Sequence, residues 1–153
     1  MTNVRDQFIL MAEDDTDDQL LVREAFAECG VREQLRFVAD GEELLDYLLR
    51  RGQYIGTGVA PRPGLILLDL NMPRKDGREA LKEIREHPDL RRVPIVVFTT
   101  SRADTDIRIV YELGGNSFIT KPAAFEGLVA SIQKIVDYWF GLVELPSAKI
   151  AAP

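Results

Sequence analysis

The chain has 153 residues, of which 46% are hydrophobic and 29% are charged, a composition typical of a soluble globular protein with one domain. This composition excludes an intrinsically disordered, collagen-like or coiled-coil protein. Lysine and arginine number 19 against 25 acidic residues, so the formal net charge is −6. An acidic surface repels phosphate backbones, and we therefore do not expect a nucleic acid as a direct partner.

The single cysteine and the single histidine, Cys29 and His87, exclude further classes. An internal disulfide or a multi-cysteine zinc site needs more cysteines, and one thiol suits a reducing cytosol. A Ser-His-Asp hydrolase would depend on His87, which precedes a proline in an expected loop. The apolar run Phe8–Ala12 meets Glu13 and is too short for a signal peptide or a membrane span. We therefore expect a cytoplasmic chain without membrane contact.

Short apolar runs alternate along the chain with longer segments of helical spacing. Most runs are continuous, as in strands that are covered on both faces of a sheet. Five successive pairs of a predicted strand and a predicted helix indicate an α/β domain with a doubly wound parallel sheet and helices on both faces. The predicted strands are Phe8–Ala12, Leu35–Ala39, Leu65–Leu68, Ile95–Phe98 and Ser117–Thr120, and the predicted helices lie near 16–29, 42–50, 78–86, 103–113 and 124–143.

The start of the first helix carries a cluster of polar residues. Thr16 has the pattern of a capping box and is predicted to be the N-cap. Asp17 and Asp18 then lie in the first turn, where they complement the helix dipole. Asp15 is open to interpretation as a loop residue or a cap.

The predicted domain covers residues 7–143, between an N-terminal tail (1–6) and a C-terminal tail (144–153). Residues 51–63 contain three glycines and two prolines and predict an extended loop. The stretch after 143 leaves no room for an output domain, so we expect any effect on DNA to come through another protein.

Polar residues follow four of the predicted strands. Glu13 and Asp14 come after the first strand, Asp69 after the third, Thr99 after the fourth and Lys121 after the fifth. The carboxyl ends of parallel strands share one edge, where ligands bind in doubly wound sheets. Crowded carboxylates favour a cation among them, and oxygen ligands suit Mg²⁺. With Lys121 as a charge for phosphate and Thr99 as a donor, the set indicates a carboxylate that attacks phosphorus.

Each of these residues also has a plain structural interpretation. An acidic pair before a helix complements its dipole, a strand threonine is ordinary, and a lone lysine is usually solvated. Asp69 is harder to explain, because a buried carboxylate without a partner is costly. The joint placement at the strand ends is what favours a site.

The same residues lie within a longer ordered set of motifs that resembles the receiver domain of bacterial two-component response regulators over residues 7–143. The resemblance implies a flavodoxin-like fold, with a five-stranded parallel sheet in the order 2-1-3-4-5. The motifs are Ile9-Leu10-Met11-Ala12-Glu13-Asp14, Ile66-Leu67-Leu68-Asp69-Leu70-Asn71-Met72-Pro73 with Asp76-Gly77, Phe98-Thr99 and Lys121-Pro122.

The resemblance implies a role for each acidic residue. Asp69 would be the phosphoacceptor and would also bind Mg²⁺. Asp14 would bind the ion directly and Glu13 largely through water, and Asn71 would offer its backbone carbonyl.

The resemblance also implies a switch. Lys121 would pair with the phosphoryl group, and the hydroxyl of Thr99 would move onto it after transfer. Phe118 would be the coupled aromatic residue, although a strand core position explains it as well. The Lys121–Pro122 bond matches a peptide that is cis in the family.

The favoured function is a phosphorelay regulator that takes a phosphoryl group from a sensor histidine kinase and is not itself an enzyme with turnover. The loop 51–63, Tyr138–Phe140 and the tail Val143–Pro146 resemble single-domain regulators paired with bacterial phytochrome kinases. Two alternatives stay open. A Mg²⁺-dependent phosphatase of the haloacid dehalogenase class would need an acid where Asn71 stands. A degenerate receiver would bind partners without phosphorylation.

The last predicted helix has an apolar stripe that broadens towards its end. Trp139, Phe140 and Val143 exceed what one sheet face can bury, and such a patch is typical of a partner contact. We expect a twofold homodimer through this surface. The alternative is that Trp139 folds back onto its own domain.

Overall fold

The computed structural model describes residues 8–56, 58 and 60–146, and its centre is a parallel sheet of five strands in the order β2-β1-β3-β4-β5. β1, β3 and β4 are buried along their whole length because helices cover both faces. The predicted fold class and strand order are confirmed, with strand ends that differ by at most one residue. The strands are β1 (Ile9–Ala12), β2 (Leu35–Val38), β3 (Leu65–Leu68), β4 (Ile95–Thr99) and β5 (Ser117–Thr120).

Two apolar layers enclose the sheet. One packs the first and last helices against the sheet through side chains such as Phe26 and Ile132. The other packs the three middle helices through Leu44, Leu81 and Val110. The helices are α1 (Thr16–Glu28), α2 (Gly41–Leu49), α3 (Gly77–Glu86), α4 (Asp104–Glu112) and α5 (Phe125–Val136), with short 3-10 turns at Arg32–Gln34 and Gly52–Tyr54.

Three local predictions are wrong. The N-cap of α1 is Asp15 and not Thr16, because Asp15 is extended and its carboxylate accepts from the N–H groups of Asp17 (2.8 Å) and Asp18 (3.2 Å). The last helix does not run to 143 as one α-helix, since Asp137–Leu142 forms a π-helix. In the described chain no peptide bond is cis, so the bond before Pro122 has the trans form that most X-Pro bonds adopt.

The predicted loop 51–63 is described apart from residues 57 and 59, and it packs against α2. The hydroxyl of Tyr47 donates to the carbonyl of Pro61 at 2.8 Å, and the rings of Tyr47 and Tyr54 meet edge to face with centroids 5.0 Å apart. The tail 1–6 and residues 147–153 lie outside the described residues, and the domain limits stay a prediction. None of the described helices combines the length and apolarity that a bilayer crossing requires.

Candidate functional site

Three carboxylates meet at the carboxyl edge of the sheet. Ala12 pairs with Leu68 in the register of β1 and β3, so the residues that follow these strands, Glu13 and Asp69, become neighbours. Asp14 completes the cluster, and one carboxylate oxygen from each of the three lies within 4.8 Å of the others. Glu13 and Asp69 are 1% and 8% exposed, whereas Asp14 faces solvent. The donor set is made of hard oxygen ligands and suits a divalent cation.

Lys121 supplies the positive charge of the cluster. Its ammonium group contacts Glu13 Oε1, lies 3.1 Å from Asp69 Oδ2 and 3.7 Å from Asp18 Oδ2, and its side chain is 8% exposed. Burial raises the pKa of Glu13 to about 7, and the charge of Asp69 acts in the same direction against the charge of Lys121. Burial opposes the ammonium form of Lys121, but Asp69 and Glu13 outweigh it and raise its pKa. Lys121 therefore stays charged beside Asp69.

Two donors orient the carboxylate of Asp69 from the other side. The hydroxyl of Thr99, which is fully buried at the end of β4, donates to Asp69 Oδ1 at 2.8 Å. The backbone N–H of Asn71 donates to the same oxygen at 3.3 Å. Because Lys121 holds the other oxygen, both atoms of the carboxylate have fixed partners. Such a group is a positioned nucleophile beside a charge that can neutralise an incoming anion.

The segment that joins β3 to α3, and that carries Asn71, is attached to the start of α2. Arg74 has a left-handed backbone (φ 62°) and donates to Asp40 from Nε at 2.8 Å and from NH2 at 3.2 Å. The N–H of Gly41 donates to the carbonyl of Lys75 at 2.9 Å, where a Cβ on Gly41 would lie 2.4 Å from the same oxygen. Burial opposes the charge of Asp40, but hydrogen bonds from Arg74 and the N–H of Glu43 outweigh it and lower its pKa.

A second connection links the segment after Thr99 to two helices. Asp106, in the first turn of α4, accepts from the hydroxyl of Ser101 at 2.6 Å and from Arg78 of α3 at 2.7 Å. Hydrogen bonds from Ser101 and Arg78 lower the pKa of Asp106. The hydroxyl of Thr120 donates to the carbonyl of Ser101 at 3.3 Å. Ser101, just after β4, thus contacts α4 and β5 directly and is linked to α3 through Asp106.

These two connections and the contact of Gln19 with Glu13 were not predicted from the sequence. The side-chain amide of Gln19 donates to the carbonyl of Glu13 at 2.6 Å and so holds the turn that carries Glu13. The Asp40–Gly41 pair, with its turn-like composition, was a signal for the first connection, but nothing in the sequence identified Arg74 as its partner. Phe118 is half-buried on β5 and packs against the layer of α2, α3 and α4.

A cavity of about 370 Å³ opens beside Lys121. It lies between α1 and the start of α5, and Thr100 and Arg102 form part of its wall. Leu21 and Phe125, which are 44% and 38% exposed, add apolar surface to its lining. The surface beside Lys121 therefore combines exposed apolar side chains with charged ones, since Asp18 and Arg102 also line the cavity.

The aromatic residues after α5 are divided between the core and the surface. Trp139 and Phe140 are partly buried and pack against the layer of α1 and α5, and Val143 is half-buried. Tyr138 and Leu142 are 50% and 74% exposed. A cavity of about 570 Å³ lies between β5 and this segment. The predicted interface residues are thus less exposed than expected, and their role in a dimer stays a prediction.

Comparison with known proteins gives one consistent result. Residues 9–133 match the family model described as the response regulator receiver domain. Response regulator Rcp1 of Synechocystis sp. is 41% identical over 140 residues, which are 92% of this chain and 93% of Rcp1. The crystal structure of its Mn²⁺-bound form, at 39% identity, has a TM-score of 0.80 and matches 92% of this chain and 99% of the other.

Two further solved structures are similar over the same share of both chains, 92% and 99%. One is the phosphorylated cyanobacterial phytochrome response regulator RcpA, at 41% identity with a TM-score of 0.84. The other is response regulator RPA3017, in red light signalling of R. palustris, at 36% identity with a TM-score of 0.87. With a matching family model over most of its length, the chain belongs to the response regulator receiver domains.

Proposed function

We propose that this receiver domain accepts a phosphoryl group on Asp69 from a sensor histidine kinase, and that the modification changes its binding to a partner. The observation that carries the proposal is the carboxylate of Asp69 itself. It lies between the ammonium of Lys121 and the hydroxyl of Thr99, and two further carboxylates stand within cation-binding distance.

The transfer is an in-line displacement at phosphorus. A carboxylate oxygen of Asp69 forms the new O–P bond as the N–P bond of a phosphohistidine breaks, and the histidine leaves with the electron pair of that bond. Lys121 neutralises charge on the phosphoryl oxygens. Glu13, Asp14, Asp69 and the carbonyl of Asn71 would hold Mg²⁺, which offsets the repulsion between the phosphoryl group and the carboxylates.

The switch rests on Thr99 and Phe118. The hydroxyl of Thr99 is 2.8 Å from Asp69 Oδ1, so a small shift lets it donate to a phosphoryl oxygen. β4 and β5 are paired, with Val97 opposite Phe118 and Thr99 opposite Thr120. A shift of Thr99 therefore reaches the strand that carries Phe118, and the half-buried ring has room to change its packing.

A phytochrome-type kinase in the cytoplasm is the proposed donor. Rcp1 and RcpA match nearly the whole chain, RcpA is a phytochrome response regulator, and RPA3017 acts in red light signalling. The exposed apolar residues Leu21 and Phe125 beside the cavity at Lys121 offer a surface on which a kinase helix can dock.

A second copy of this chain is the proposed occupant of the surface at β5. β5 is an edge strand, and the exposed Tyr138 and Leu142 follow α5 while Ile109 and Tyr111 lie exposed on α4. In a twofold dimer the same surface of each copy would be in contact with the other. Trp139, Phe140 and Val143, which are partly buried, would pack beneath the exposed side chains. The 570 Å³ cavity next to β5 gives protruding side chains of the second copy a place to insert.

Acetyl phosphate with Mg²⁺ tests the central proposal. We expect intact-protein mass spectrometry to show one phosphoryl group that hydroxylamine removes, and Asp69→Asn to show none. The matched control is Asp17→Asn, an exposed carboxylate in α1. Undiminished phosphate on Asp69→Asn overturns the assignment. Sustained hydrolysis of phosphomonoesters would favour the phosphatase, and an unmodified wild type would favour a phosphorylation-independent binding module.

Phosphotransfer in two light states tests the choice of kinase. We expect a phytochrome-type histidine kinase to label Asp69 at rates that differ between red and far-red light. Leu21→Asp should slow transfer from the kinase while labelling by acetyl phosphate is unchanged. Transfer that is equally fast from an unrelated kinase would contradict the proposal.

Sedimentation equilibrium tests the dimer. We expect the wild type to associate and Leu142→Asp to be monomeric with an unchanged circular dichroism spectrum. Ile55→Asp is the control. Ile55 is 70% exposed, and it belongs to the 51–63 loop, which packs against α2. A wild type that is monomeric at tens of micromolar in both phosphorylation states would end this proposal.

A further inference from the structure

A third cavity, of about 280 Å³, lies at the end of the sheet opposite to Asp69, where the strands begin. α2 and α3 end beside it and the 51–63 loop runs past it, so it sits at the amino ends of the strands. Its lining is basic at one side and apolar at the other, with Leu48, Arg50, Arg62, His87, Asp89 and Leu90 among its residues.

Neither arginine of this cavity forms an ion pair in the described residues, although Asp89 also lines the cavity. Within the part of the chain that the structure describes, neither Arg50 nor Arg62 has a carboxylate within ion-pair distance, whereas the neighbouring Arg51 lies 2.6 Å from Asp46. This is unexpected in a chain whose net charge is −6. An anion from solution would supply the missing charge.

Backbone carbonyls hold both guanidinium groups in place. Arg50 Nε donates to the carbonyl of Ala60 at 3.3 Å, and Arg62 NH1 donates to the carbonyl of Asp89 at 2.9 Å. A guanidinium has five N–H donors, so each arginine keeps others for a ligand. Because the side chains are already fixed, a ligand would lose little of its binding energy in ordering them.

Positive charges predominate around Arg62. Burial lowers the pKa of Arg62, and the positive charges of Arg50 and Arg92 act in the same direction against the negative charge of Asp89. His87 adds a donor, since its Nδ1 accepts the N–H of Asp89 at 3.2 Å and the proton of the neutral ring is then on Nε2.

Helix ends offer a different explanation of the same arginines. Arg50 caps α2 in a left-handed conformation, and His87 caps α3. The carbonyl ends of helices carry partial negative charge, which a nearby cation offsets without any ligand. If the arginines only offset the helix ends, no saturable anion binding is expected. A titration with an anion can therefore distinguish this explanation from a binding site.

We propose that Arg50, Arg62 and His87 form a binding site for a small dianion of the phosphate class. Two guanidinium forks and an imidazole N–H match a tetrahedral dianion better than a single carboxylate, because they offer donors from several directions. None of the lining residues belongs to the carboxylate cluster at Asp69, so phosphate binding here needs no modification of Asp69. The 51–63 loop gains a role, as it delivers Arg62 and the carbonyl that holds Arg50.

Titration with inorganic phosphate at constant ionic strength tests the site, followed by the amide and imidazole NMR signals with EDTA present. We expect saturable shifts at Arg62 and His87 and none at Asp69. Arg62→Gln should weaken binding at least about tenfold, as loss of a charge-assisted hydrogen bond predicts. Arg51→Gln, the control, should leave it unchanged, and Asp89→Asn should tighten it by removing the opposing charge.

Four results would overturn the proposal. Equal affinities for Arg62→Gln and Arg51→Gln, or shifts that chloride reproduces, would show that the arginines only offset the helix ends. Acetate that saturates the same signals at lower concentration would assign the site to carboxylates. Arg50→Gln is the second variant should Arg62→Gln alter the circular dichroism spectrum, and an unchanged affinity there would contradict the site equally.

Discussion

Arg74 binds Asp40 through two hydrogen bonds, of 2.8 and 3.2 Å, and thereby connects the segment after β3 to the start of α2. Asp40 is nearly buried, and it also accepts the N–H of Glu43 as the N-cap of that helix. One carboxylate thus stabilises a helix end and the segment that carries Asn71. The charge on Asp40 strengthens both contacts, and the ion pair with Arg74 depends on it.

Arg74→Ala should destabilise the fold in a pH-dependent way. The folded pKa of Asp40 is lowered, so the stabilisation is present above its unfolded pKa, about 3.9, and is lost as pH falls through the folded pKa. We expect a lower urea midpoint for Arg74→Ala at pH 7 and a smaller difference near pH 3. An equal difference at both values would show that the charge of Asp40 is not involved. Arg51→Ala, which removes an exposed pair, should change the midpoint little.

Gly41→Ala should be strongly destabilising. A methyl group there would lie 2.4 Å from the carbonyl of Lys75, and backbone on both sides must shift to make room. We expect a loss of roughly 3 kcal/mol in the free energy of unfolding, at the upper end for overpacking. Gly141→Ala is the control, because nothing lies within 4 Å of its added methyl group. Equal urea denaturation curves for Gly41→Ala and wild type would contradict the contact.

Asp14→Asn should weaken cation binding without loss of the fold. The substitution removes one anionic oxygen from the cluster. Replacing a residue that only contacts a metal ligand already lowers metal affinity about ten- to a hundredfold, so loss of a ligand should cost at least as much. We expect at least about a tenfold rise in the Mn²⁺ dissociation constant, measured by the electron paramagnetic resonance signal of free Mn²⁺. Asp17→Asn should leave it unchanged, and an unchanged constant for Asp14→Asn would return Asp14 to a role at the helix end.

Thr99→Ala should separate phosphorylation from the response to it. The methyl group of alanine cannot donate to the phosphoryl oxygens as the hydroxyl of Thr99 can. We therefore expect Asp69 still to be phosphorylated, while the coupling free energy between phosphorylation and the change at β5, typically about 1–3 kcal/mol, is reduced. We expect acetyl phosphate to shift the NMR signals of β5 in wild type and Thr99→Ser but far less in Thr99→Ala. If the alanine variant shifts as the wild type does, Thr99 is only a strand residue.

The sheet and the residues at its carboxyl edge were predictable for a physical reason. Strands buried on both faces need continuous apolar runs, and a polar residue directly after such a run must lie at the edge. Asp69 is of this kind, and β3 ends where predicted. β5 also ends where predicted, before Lys121, although it is a half-buried edge strand with polar residues at both ends. The order of the strands came from the resemblance, since five apolar runs alone do not specify their neighbours.

Contacts between distant loops were not predictable. Arg74 and Asp40 are 34 residues apart, and many other acidic residues could have served as the partner. The cap of α1 was misplaced because Thr16 and Asp15 are both good N-caps and only the backbone conformation decides between them. A regular α-helix places Trp139 on the same face as Ile132 and Val136, and an exposed Trp139 was expected only because that stripe looked too broad for one sheet face. In the π-helix after Val136 the spacing of side chains changes, and Trp139 is partly buried while Leu142 is exposed.

The contact between Gly41 and Lys75 has a consequence for protein engineering. A chimera that receives the β3–α3 loop of another receiver keeps its own α2, and the new loop must place a carbonyl oxygen 2.9 Å from the backbone nitrogen of Gly41. Residues 40–41 and 74–75 should therefore be exchanged together. Hybrids that split the two pairs would be expected to express poorly even when every residue around Asp69 is retained.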